Sequence, residues 1–596
     1  MRTMMEFKIG EEFYFDGKAQ RIISGAVHYF RLTPGQWEQT LYNLKALGAN
    51  TVETYIPWNL HEAKEGQFNF EGIADVEAFL ELAHSMGLYS IVRPSPYICA
   101  EWEFGGLPAW LLKDKNLRVR SSAVNFMTAV ENYYKHLIPR LVRFQTTQGG
   151  NLLMVQVENE YGTFANDQHY MSLNAQLLHK YGIEVPLVTS DGGVYAALEA
   201  GTLPDLDVLA TVNFGSNAED NFTALRDYQK RHNRTEPLMC MEFWNGWFNN
   251  WGRGIIRRDA DETAAEVRAV LEQGSINFYM FQGGTNFGFY NGCSDNQGTH
   301  EPQITSYDYD ALLTEWGAPT DKYFAIQKVI KNLFPHIETA APIYPTQKKL
   351  GEFRVTERVS LFSVLDQITT KITNDYPLTM EELDHYYGYV LYKTNVKHNR
   401  EINELKIVDA RDRVQLFINQ QPITSQAYSD IGTLIKLESK EKVQEVSLLL
   451  ENLGRNNYGP SIRSSIQQKG LLGGVFADLH LLMNWEHYAI DFTQLDAIDF
   501  DQSFVSTTPS FYRITFNLEE VAATFIDCSE YGKGIILLNG FNLGRYWNVG
   551  PSHHLFVPAD LLKVGENECI IFETEGKLIE SLRFVEDARP LYAMKD

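Results

Sequence analysis

Cysteine, basic residues and long apolar runs are all scarce in this chain, and each shortage excludes a class of protein. Five cysteines among 596 residues form no Cys-x-x-Cys pair, so neither a disulfide framework nor a structural zinc site is expected. Lysine and arginine number 52 against 76 acidic residues, which leaves a net charge of −24. An acidic surface repels phosphate backbones, so we expect no nucleic-acid partner.

Segments that direct a protein into a membrane or through it are also missing. No window approaches the about 18 apolar residues of a membrane-spanning helix. The first residues, MRTMMEFKIGEEFYFDGKAQ, carry early acids and lack the apolar core of a secretory signal. The metal-enzyme motifs His-x-His and His-Glu-x-x-His do not occur. We therefore expect a cytoplasmic protein with no membrane partner, no metal and no cofactor.

The first 335 residues alternate apolar strand-like runs with amphipathic helical stretches. Several of the runs are continuously apolar, as is typical of strands buried on both faces. The eight predicted strands are Arg21–Phe30, Asn50–Asn59, Tyr89–Ile98, Leu152–Tyr161, Val185–Asp191, Asp207–Gly215, Pro237–Gly246 and Ser275–Gly284. Eight such units in roughly 300 residues indicate an α/β fold of the (β/α)8 TIM-barrel type. A doubly wound sheet is the alternative, but no glycine-rich phosphate loop follows the first strand.

After residue 335 the pattern changes to short alternating strands separated by turn residues. Asn539-Gly540 is a strong signal for a tight hairpin, and the runs VQLFINQQPI and GIILLNGFNL resemble each other. The spacing predicts two all-β domains of the jelly-roll or sandwich type. We therefore divide the chain into a barrel at 1–335, a linker with a first all-β domain at 336–485, and a second all-β domain at 486–596.

The ends of the predicted barrel strands carry a dense set of carboxylates, amides and aromatic rings. The relevant words are ETYIPWN, RPSPYICAEWE, QVENEYG, EFWNGW and NFYMFQGGTN. Chemistry in such a barrel lies at the carboxyl ends of its strands. Carboxylates and amides bind hydroxyl groups, and flat aromatic rings stack against the apolar face of a pyranose. The pattern therefore favours a sugar substrate.

Cleavage of a sugar acetal needs one carboxyl to protonate the leaving oxygen and a second to attack or stabilise the anomeric carbon. Glu160 and Glu242 are the natural pair, because they end the fourth and seventh strands, which face each other across an eight-stranded barrel. Either residue alone could instead form a salt bridge with an arginine such as Arg93. Glu158 is an alternative to Glu160, since strand alternation places both on the same face.

A glycine-rich run, Gly283-Gly284-Thr-Asn-Phe-Gly288, follows the last predicted strand. It resembles a phosphate-binding loop, but its position after the last strand and its lack of lysine argue against a nucleotide site. We therefore expect no nucleotide there.

Several long words occur in one order along the chain: TYIPWNLHE, RPSPYICAEWEFGGLPAWLL, VQVENEYG, EFWNGWF, NFYMFQGGTNFGF and TSYDYDALLTEWG. Together with YGKGIILLNGFNLGRYWNVGP near the C-terminus, they resemble glycoside hydrolase family 35, the β-galactosidase family, over essentially the whole chain. The resemblance implies a retaining exo-β-galactosidase whose last domain is galactose-binding-like. The compact length and the missing signal resemble the short bacterial-type members, which implies a preference for β-1,3-linked galactose.

The resemblance also assigns roles to residues. The second glutamate of VENEYG, Glu160, is expected to be the general acid/base, and the glutamate of EFWNGW, Glu242, the nucleophile, which leaves Glu158 in a supporting position. Expected galactose contacts are Tyr55, Ala100, Glu101, Asn159, Tyr279 and Tyr309. Among these, Asn159 is expected to bind the 2-hydroxyl and Tyr279 to hold the nucleophile's oxygen. Glu101 and the backbone of Ala100 are expected to fix the galacto configuration.

The side of the site that holds the leaving group is expected to be aromatic. Trp244 and Trp247 directly follow the nucleophile and could wall the adjacent sugar site, while Tyr458, from the first all-β region, could reach over the barrel mouth. Packing between domains is the alternative for each of the three.

Three other functions stay open at this point. They are an exo-β-glucosaminidase or β-glucosidase on the same scaffold, a non-catalytic galactoside-binding protein, and a metal-dependent barrel hydrolase. The expected partners are small β-galactoside oligosaccharides and a second copy of the chain in a homodimer.

Overall fold

The computed structural model describes residues 5–296, 299–396, 401–437, 443–463 and 465–588. Eight parallel strands close into a barrel in its N-terminal part. We label these strands β1 (Ile23–Val27), β2 (Thr51–Tyr55), β3 (Tyr89–Arg93), β4 (Leu152–Gln156), β5 (Leu187–Gly192), β6 (Val208–Phe214), β7 (Met239–Trp244) and β8 (Ser275–Gln282). Each lies at a predicted segment to within one residue, so the (β/α)8 prediction is confirmed.

A helix longer than one turn follows each barrel strand. These helices are α1 (Pro34–Leu47), α2 (Val76–Ser85), α3 (Val124–Leu141), α4 (Gln168–Lys180), α5 (Tyr195–Gly201), α6 (Ala218–Arg231), α7 (Ala260–Gln273) and α8 (Asp321–Leu333). In α2, Asp75 caps the N-terminus by accepting the Ala78 N–H, and an apolar stripe that includes Phe79 and Leu80 is buried. Within the described residues, no helix is both long and apolar enough to cross a bilayer.

The barrel interior is filled rather than hollow. Every residue of β1, β2, β4, β6 and β8 is buried, because one face of each strand packs inward and the other packs against the helices. Side chains inside the barrel therefore have no access to solvent. Polar groups can meet a ligand where the strands end and their loops begin.

Two all-β units follow the barrel, as predicted. The first contains a six-stranded sheet (Lys371–Asn374, Tyr389–Asn395, Arg413–Ile418, Gln421–Ala427, Glu445–Glu451, Trp485–Ala489) and a four-stranded sheet (Glu404–Arg411, Ile435–Lys436, Gly470–Ala477, His480–Leu481). The second contains a five-stranded sheet (Glu357–Ser360, Ser510–Leu518, Lys533–Leu538, Phe541–Trp547, Gly565–Glu573) and a four-stranded sheet (Gly351–Arg354, Thr524–Asp527, His554–Val557, Ser581–Val585). The strands of both units pair antiparallel.

The two similar runs seen in the sequence form the same kind of hairpin. Asn539 and Gly540 join two paired strands with φ angles of 49° and 82°, the left-handed geometry that a two-residue type I′ turn needs. Asn419 and Gln420 join another pair with φ angles of 48° and 64°. The hairpin predicted at Asn539-Gly540 is therefore confirmed.

The two all-β units are interleaved along the chain. Strand Trp485–Ala489 pairs with Tyr389–Asn395, so the boundary placed at 485/486 falls inside a strand of the first unit. Strand Gly351–Arg354 pairs with Ser581–Val585 near the C-terminus. The chain therefore contributes strands to the second unit, builds the first, and then completes the second.

Candidate active site

A cavity of about 310 Å³ opens at the carboxyl ends of the barrel strands. All eleven residues that the sequence assigned to the site line it: Tyr55, Ala100, Glu101, Asn159, Glu160, Glu242, Trp244, Trp247, Tyr279, Tyr309 and Tyr458. Tyr55 is the last residue of β2, and Trp244 is the last residue of β7. The structure therefore brings together side chains that are up to about 400 positions apart in the sequence.

Glu242 lies near the end of β7 and is 6% exposed. Its Oε1 atom lies 2.7 Å from Nη1 of Arg93 and accepts a hydrogen bond of 2.5 Å from the hydroxyl of Tyr55. Its Oε2 atom accepts a 3.1 Å bond from the indole N–H of Trp244. A cation and two donors thus orient this carboxylate at the cavity wall.

Arg93, at the end of β3, connects the parts of this network. It donates to Oδ1 of Asn159 at 2.7 Å, and its Nε atom lies 3.9 Å from a second buried carboxyl, that of Glu53. Burial, opposed by Arg93 and reinforced by the nearby charge of Glu242, raises the pKa of Glu53 to about 7. The ion pair with Arg93 that the sequence offered as an alternative explanation for Glu242 therefore exists. Glu242 nevertheless also lines the cavity.

Glu160 has different surroundings from Glu242. Its backbone is left-handed, with a φ of 47°, and its carboxyl accepts a 3.1 Å hydrogen bond from the amide of Asn213. Burial, and then the charge of Glu242, raise the pKa of Glu160 to about 7. Near neutral pH this carboxyl therefore holds a proton for a large fraction of the time, as a general acid requires.

Glu158 does not share the cavity with Glu160, so the expectation that both lie on one face is wrong. Arg120 donates to both carboxylate oxygens of Glu158, at 3.0 and 2.8 Å, and the hydroxyl of Tyr170 donates at 2.9 Å. Strand β4 ends at Gln156, and both glutamates have a left-handed φ. Strand alternation therefore no longer applies where they lie.

The contact expected of Tyr279 is made by another tyrosine. Tyr55 donates to Glu242, whereas the hydroxyl of Tyr279 lies 3.4 Å from that of Tyr307. Tyr307 also donates to Glu101, whose pKa is raised to about 7 chiefly by burial. Tyr279 still lines the cavity, but the hydrogen bond to Glu242 that was expected of it is made by Tyr55.

Two glycines allow the segment that carries Tyr309 to approach the barrel. A Cβ on Gly246 would lie 1.8 Å from the carbonyl oxygen of Tyr309, and one on Gly283 would lie 1.7 Å from that of Tyr307. No side chain fits at such distances. In the glycine-rich run after β8, Gly283 therefore serves close backbone packing.

Comparison with known proteins identifies this arrangement. The model of glycosyl hydrolases family 35 matches residues 12–333. The chain belongs to glycosyl hydrolase family 35. The models "Beta-galactosidase, first all-beta domain" and "Beta-galactosidase, galactose-binding domain" match residues 377–491 and 509–567. The family-35 chain is therefore a glycoside hydrolase, and its substrate is a carbohydrate.

Curated relatives of this family-35 enzyme extend over nearly its whole length. Beta-galactosidase 17 of Arabidopsis thaliana is 36% identical and covers 96% of this chain and 87% of the relative. Beta-galactosidase of Xanthomonas manihotis is 38% identical over 93% and 92% of the two chains, respectively. Beta-galactosidase-1-like protein 2 of Homo sapiens is 36% identical over 97% and 90%. The family resemblance predicted from the sequence words is confirmed.

The outer end of the family-35 cavity uses residues from the first all-β unit. Tyr458, 50% exposed, lies at the rim next to Asn457, whose carbonyl accepts a 2.6 Å bond from the hydroxyl of Tyr97. Nearby, the fully buried Arg455 donates to Glu103 of the barrel at 2.6 Å and to Glu381 at 2.7 Å. These bonds hold the loop of the all-β unit against the barrel mouth.

Sequence reasoning missed several lining residues: Ile98, Cys99, Phe248, Ser294, Asp295 and Asn457. Four of them directly neighbour or lie within two residues of predicted site residues, so their closeness in sequence to those residues could have found them. Ser294 and Asp295 lie on strand Cys293–Asn296, for which the strand-end rule gives no signal. Among the described residues, no group of three or more His, Cys, Asp and Glu side chains is arranged to hold a metal ion.

Proposed function

We propose that this enzyme is a retaining exo-β-galactosidase that releases terminal, non-reducing β-linked galactose from oligosaccharides. Its curated relatives are named β-galactosidases. The observation that carries the proposal is the contrast between Glu242 and Glu160 in one cavity. One carboxyl is paired with a cation, and the other has a raised pKa of about 7, which is how two carboxyls of one site acquire different roles.

In the first step, protonated Glu160 gives its proton to the glycosidic oxygen as that oxygen leaves with the bonding electron pair. The carboxylate of Glu242 attacks the anomeric carbon, and a covalent galactosyl ester forms. In the second step, Glu160 removes a proton from water, the water oxygen attacks the anomeric carbon, and the ester bond to Glu242 breaks. Two inversions give net retention, for which the carboxyl groups need a separation of about 5–5.5 Å.

Galactose is proposed to occupy the inner end of the cavity. The amide nitrogen of Asn159 donates to the carbonyl of Ile98 at 3.3 Å, and its second hydrogen can reach the sugar's 2-hydroxyl. Glu101 and the backbone of Ala100 are proposed to bind hydroxyls that define the galacto configuration. The loop that carries them is held by Arg31, which donates to the Ala100 carbonyl at 2.5 Å. Tyr279 and Tyr309 complete the wall.

The volume of the cavity supports action at chain ends. At about 310 Å³, it lies at the small end of the roughly 300–1,000 Å³ that ligand pockets span. A pocket of this size is proposed to accept one terminal ring rather than the interior of a chain.

A preference for β-1,3 linkages is proposed from the resemblance to short bacterial-type members, with the aromatic rim as the part of the site that enforces it. Trp244, Trp247 and Tyr458 converge from two parts of the chain on the outer end of the cavity, where the sugar bonded to galactose would lie. Flat rings on two sides restrict the angle at which that sugar leaves the galactose ring. The linkage therefore determines which disaccharides fit.

Three assays test the proposal together. Nitrophenyl glycosides that differ at C2 and C4 should show hydrolysis of the galactoside and little of the glucoside or glucosaminide. Proton NMR should detect β-galactose as the first product, and Galβ1-3GlcNAc should be cleaved faster than Galβ1-4GlcNAc. A first product of α configuration would refute retention, and equal rates on the two disaccharides would refute the linkage preference.

A further inference from the structure

A second hollow, of about 620 Å³, adjoins the active-site cavity where strands β5, β6 and β7 end. We call it the shelf and define it by Gly193, Asn213, Ser216, Trp247 and Ile256, which line it. We propose that the shelf binds the second sugar of the leaving group, so that the preferred substrate carries at least two neutral sugars beyond the terminal galactose. This inference rests on the proposed galactosidase function and extends it to the substrate's length.

The shelf and the cavity share two tryptophans. Trp244 and Trp247 line both spaces, and their rings meet edge to face with centroids 5.8 Å apart. Trp247 is 38% exposed, so part of its indole ring is accessible to a ligand. A sugar chain that leaves the cavity would therefore stay in contact with the Trp247 indole as it enters the shelf.

The shelf begins where the leaving group is protonated. Asn213 lines the shelf, and its amide donates to the carboxyl of Glu160 at 3.1 Å. In the proposed mechanism, Glu160 gives its proton to the oxygen that joins galactose to the next sugar. The leaving group therefore starts beside the residue that connects the cavity with the shelf.

The floor of the shelf has the chemistry of a sugar site. Short polar side chains, Ser216, Asn217 and Asn221, line it together with glycines. A Cβ on Gly215 would lie 2.7 Å from the carbonyl oxygen of Trp244, so close packing keeps this part of the floor free of a side chain. Hydroxyl and amide groups around an exposed indole match the hydroxyls and the apolar face of a pyranose.

The charges at the edge of the shelf favour a neutral ligand. Arg257 is paired with Asp308 at 3.1 Å and with Asp310 at 2.9 Å. Arg258 donates to the carbonyl of Trp244 at 2.6 Å. Two aspartates offset the charge of Arg257, and Glu262 and Glu266 lie close enough to act on the charge of Arg258. The shelf therefore offers an acidic sugar little gain over a hexose or an N-acetylhexosamine.

The test compares substrates of increasing length on the full-length enzyme. The probes are nitrophenyl β-galactoside, Galβ1-3GlcNAc and Galβ1-3GlcNAcβ1-3Galβ1-4Glc. We expect kcat/KM for the tetrasaccharide to exceed that for the disaccharide by about tenfold. Substitution Ser216→Trp, at an exposed loop position, fills the shelf and should remove this gain while leaving the aryl galactoside and the disaccharide unchanged.

A matched control is Asp205→Trp, an equally exposed substitution in the loop that precedes β6 at the other end of the barrel. It should preserve the gain. If Ser216→Trp folds poorly, Ile256→Trp fills the shelf from its other side and must give the same loss.

Several outcomes would overturn the inference. The first is equal kcat/KM for tetrasaccharide and disaccharide in the wild type, and the second is a tetrasaccharide gain in kcat/KM that survives both shelf substitutions. The third is a gain that is lost in Tyr458→Ala but kept in Ser216→Trp. The fourth is a larger gain with a sulfated inner sugar. Failure of the wild type to hydrolyse the aryl galactoside would refute the proposed function instead. The two failures are therefore distinguishable.

Discussion

The surroundings of Glu242 and Glu160, the two carboxyls of the proposed catalytic pair, differ in the position of one guanidinium group. Arg93 lies 2.7 Å from Glu242, while Glu160 accepts a hydrogen bond from the neutral amide of Asn213 and faces the charge of Glu242. We propose that this cation at the end of β3, together with the burial of Glu160, gives the two identical functional groups different roles. The contrast predicts which carboxyl attacks and which one donates a proton.

The largest effect is expected from removing the nucleophile. Glu242→Ala leaves no carboxylate beside the anomeric carbon, so kcat should fall on the order of 10⁴-fold or more. Azide can enter the vacated space and attack the anomeric carbon directly. The product should then be the α-galactosyl azide, because a single displacement inverts the configuration.

Proton NMR of the azide product decides this prediction, and a thermal unfolding curve checks that the variant is folded. A β-galactosyl azide would show that another group of the protein attacks first. In that case Glu242 would not be the nucleophile.

The next largest effect concerns the acid. Glu160→Gln should lower turnover of substrates with poor leaving groups by about 10²–10⁴-fold. With an activated aryl galactoside, formation of the galactosyl-enzyme should stay fast and be seen as a burst, because such a leaving group needs no proton. Stopped-flow measurement of nitrophenol release separates the two steps.

Glu158→Gln is the matched control, since it changes the same residue type two positions away. Glu158 is held by Arg120 and Tyr170, so its substitution should lower thermal stability without changing the dependence of rate on the leaving group. Equal losses on good and poor leaving groups in Glu160→Gln would contradict the acid role.

A smaller effect is expected in the pH profile. The proposed acid is active when protonated, and the pKa of Glu160 is raised to about 7. For a poor leaving group, kcat/KM should therefore fall as pH rises through about 7, approaching tenfold per pH unit. For an aryl galactoside that needs no acid, this fall should be absent or shifted to higher pH.

Comparing the two substrates isolates Glu160, because the pKa values of Glu53 and Glu101 are also raised to about 7. A change of charge on either of those residues would affect both substrates alike. Identical alkaline limbs for both substrates would therefore assign the fall to them rather than to the acid.

Much of the site was predictable because a parallel barrel brings all strand ends to one rim. Glu160, Glu242 and Tyr55 follow or end strands that their apolar runs reveal. Strand alternation could not predict the orientation of Glu158, because a left-handed φ after the strand end breaks the alternation; only the family resemblance placed this residue in a supporting position. That Tyr55, rather than Tyr279, donates to Glu242 depends on side-chain geometry, which the spacing of residues in the sequence does not encode.

Contacts between units of the fold were also beyond sequence reasoning. Arg455 bridges Glu103 and Glu381, three residues that lie far apart in the sequence and in no shared motif. Likewise, alternating strands predicted all-β units but could not show that Gly351–Arg354 pairs with Ser581–Val585. Periodicity reports which face of a strand is buried and carries no information about its partner.

The smallest effect tests the other carboxyl that Arg93 approaches. Glu53 is fully buried 3.9 Å from the Nε atom of Arg93 and accepts a 3.2 Å bond from Asn277. Its pKa rises from 4.5 to about 7 on folding, mainly through burial. A raised pKa in the folded state gives stability that is fully present below about pH 4.5 and is lost as pH rises through about 7.

Glutamine at this position has no charge to lose. The free energy of unfolding of Glu53→Gln, measured against wild type, should therefore improve between about pH 5 and about pH 8, by at most about 3 kcal/mol. Urea unfolding at both pH values measures this difference, and Glu11→Gln, at an exposed position, is the control that should show none. A difference independent of pH would show that Glu53 does not change protonation on folding in this range, which would contradict its raised pKa of about 7.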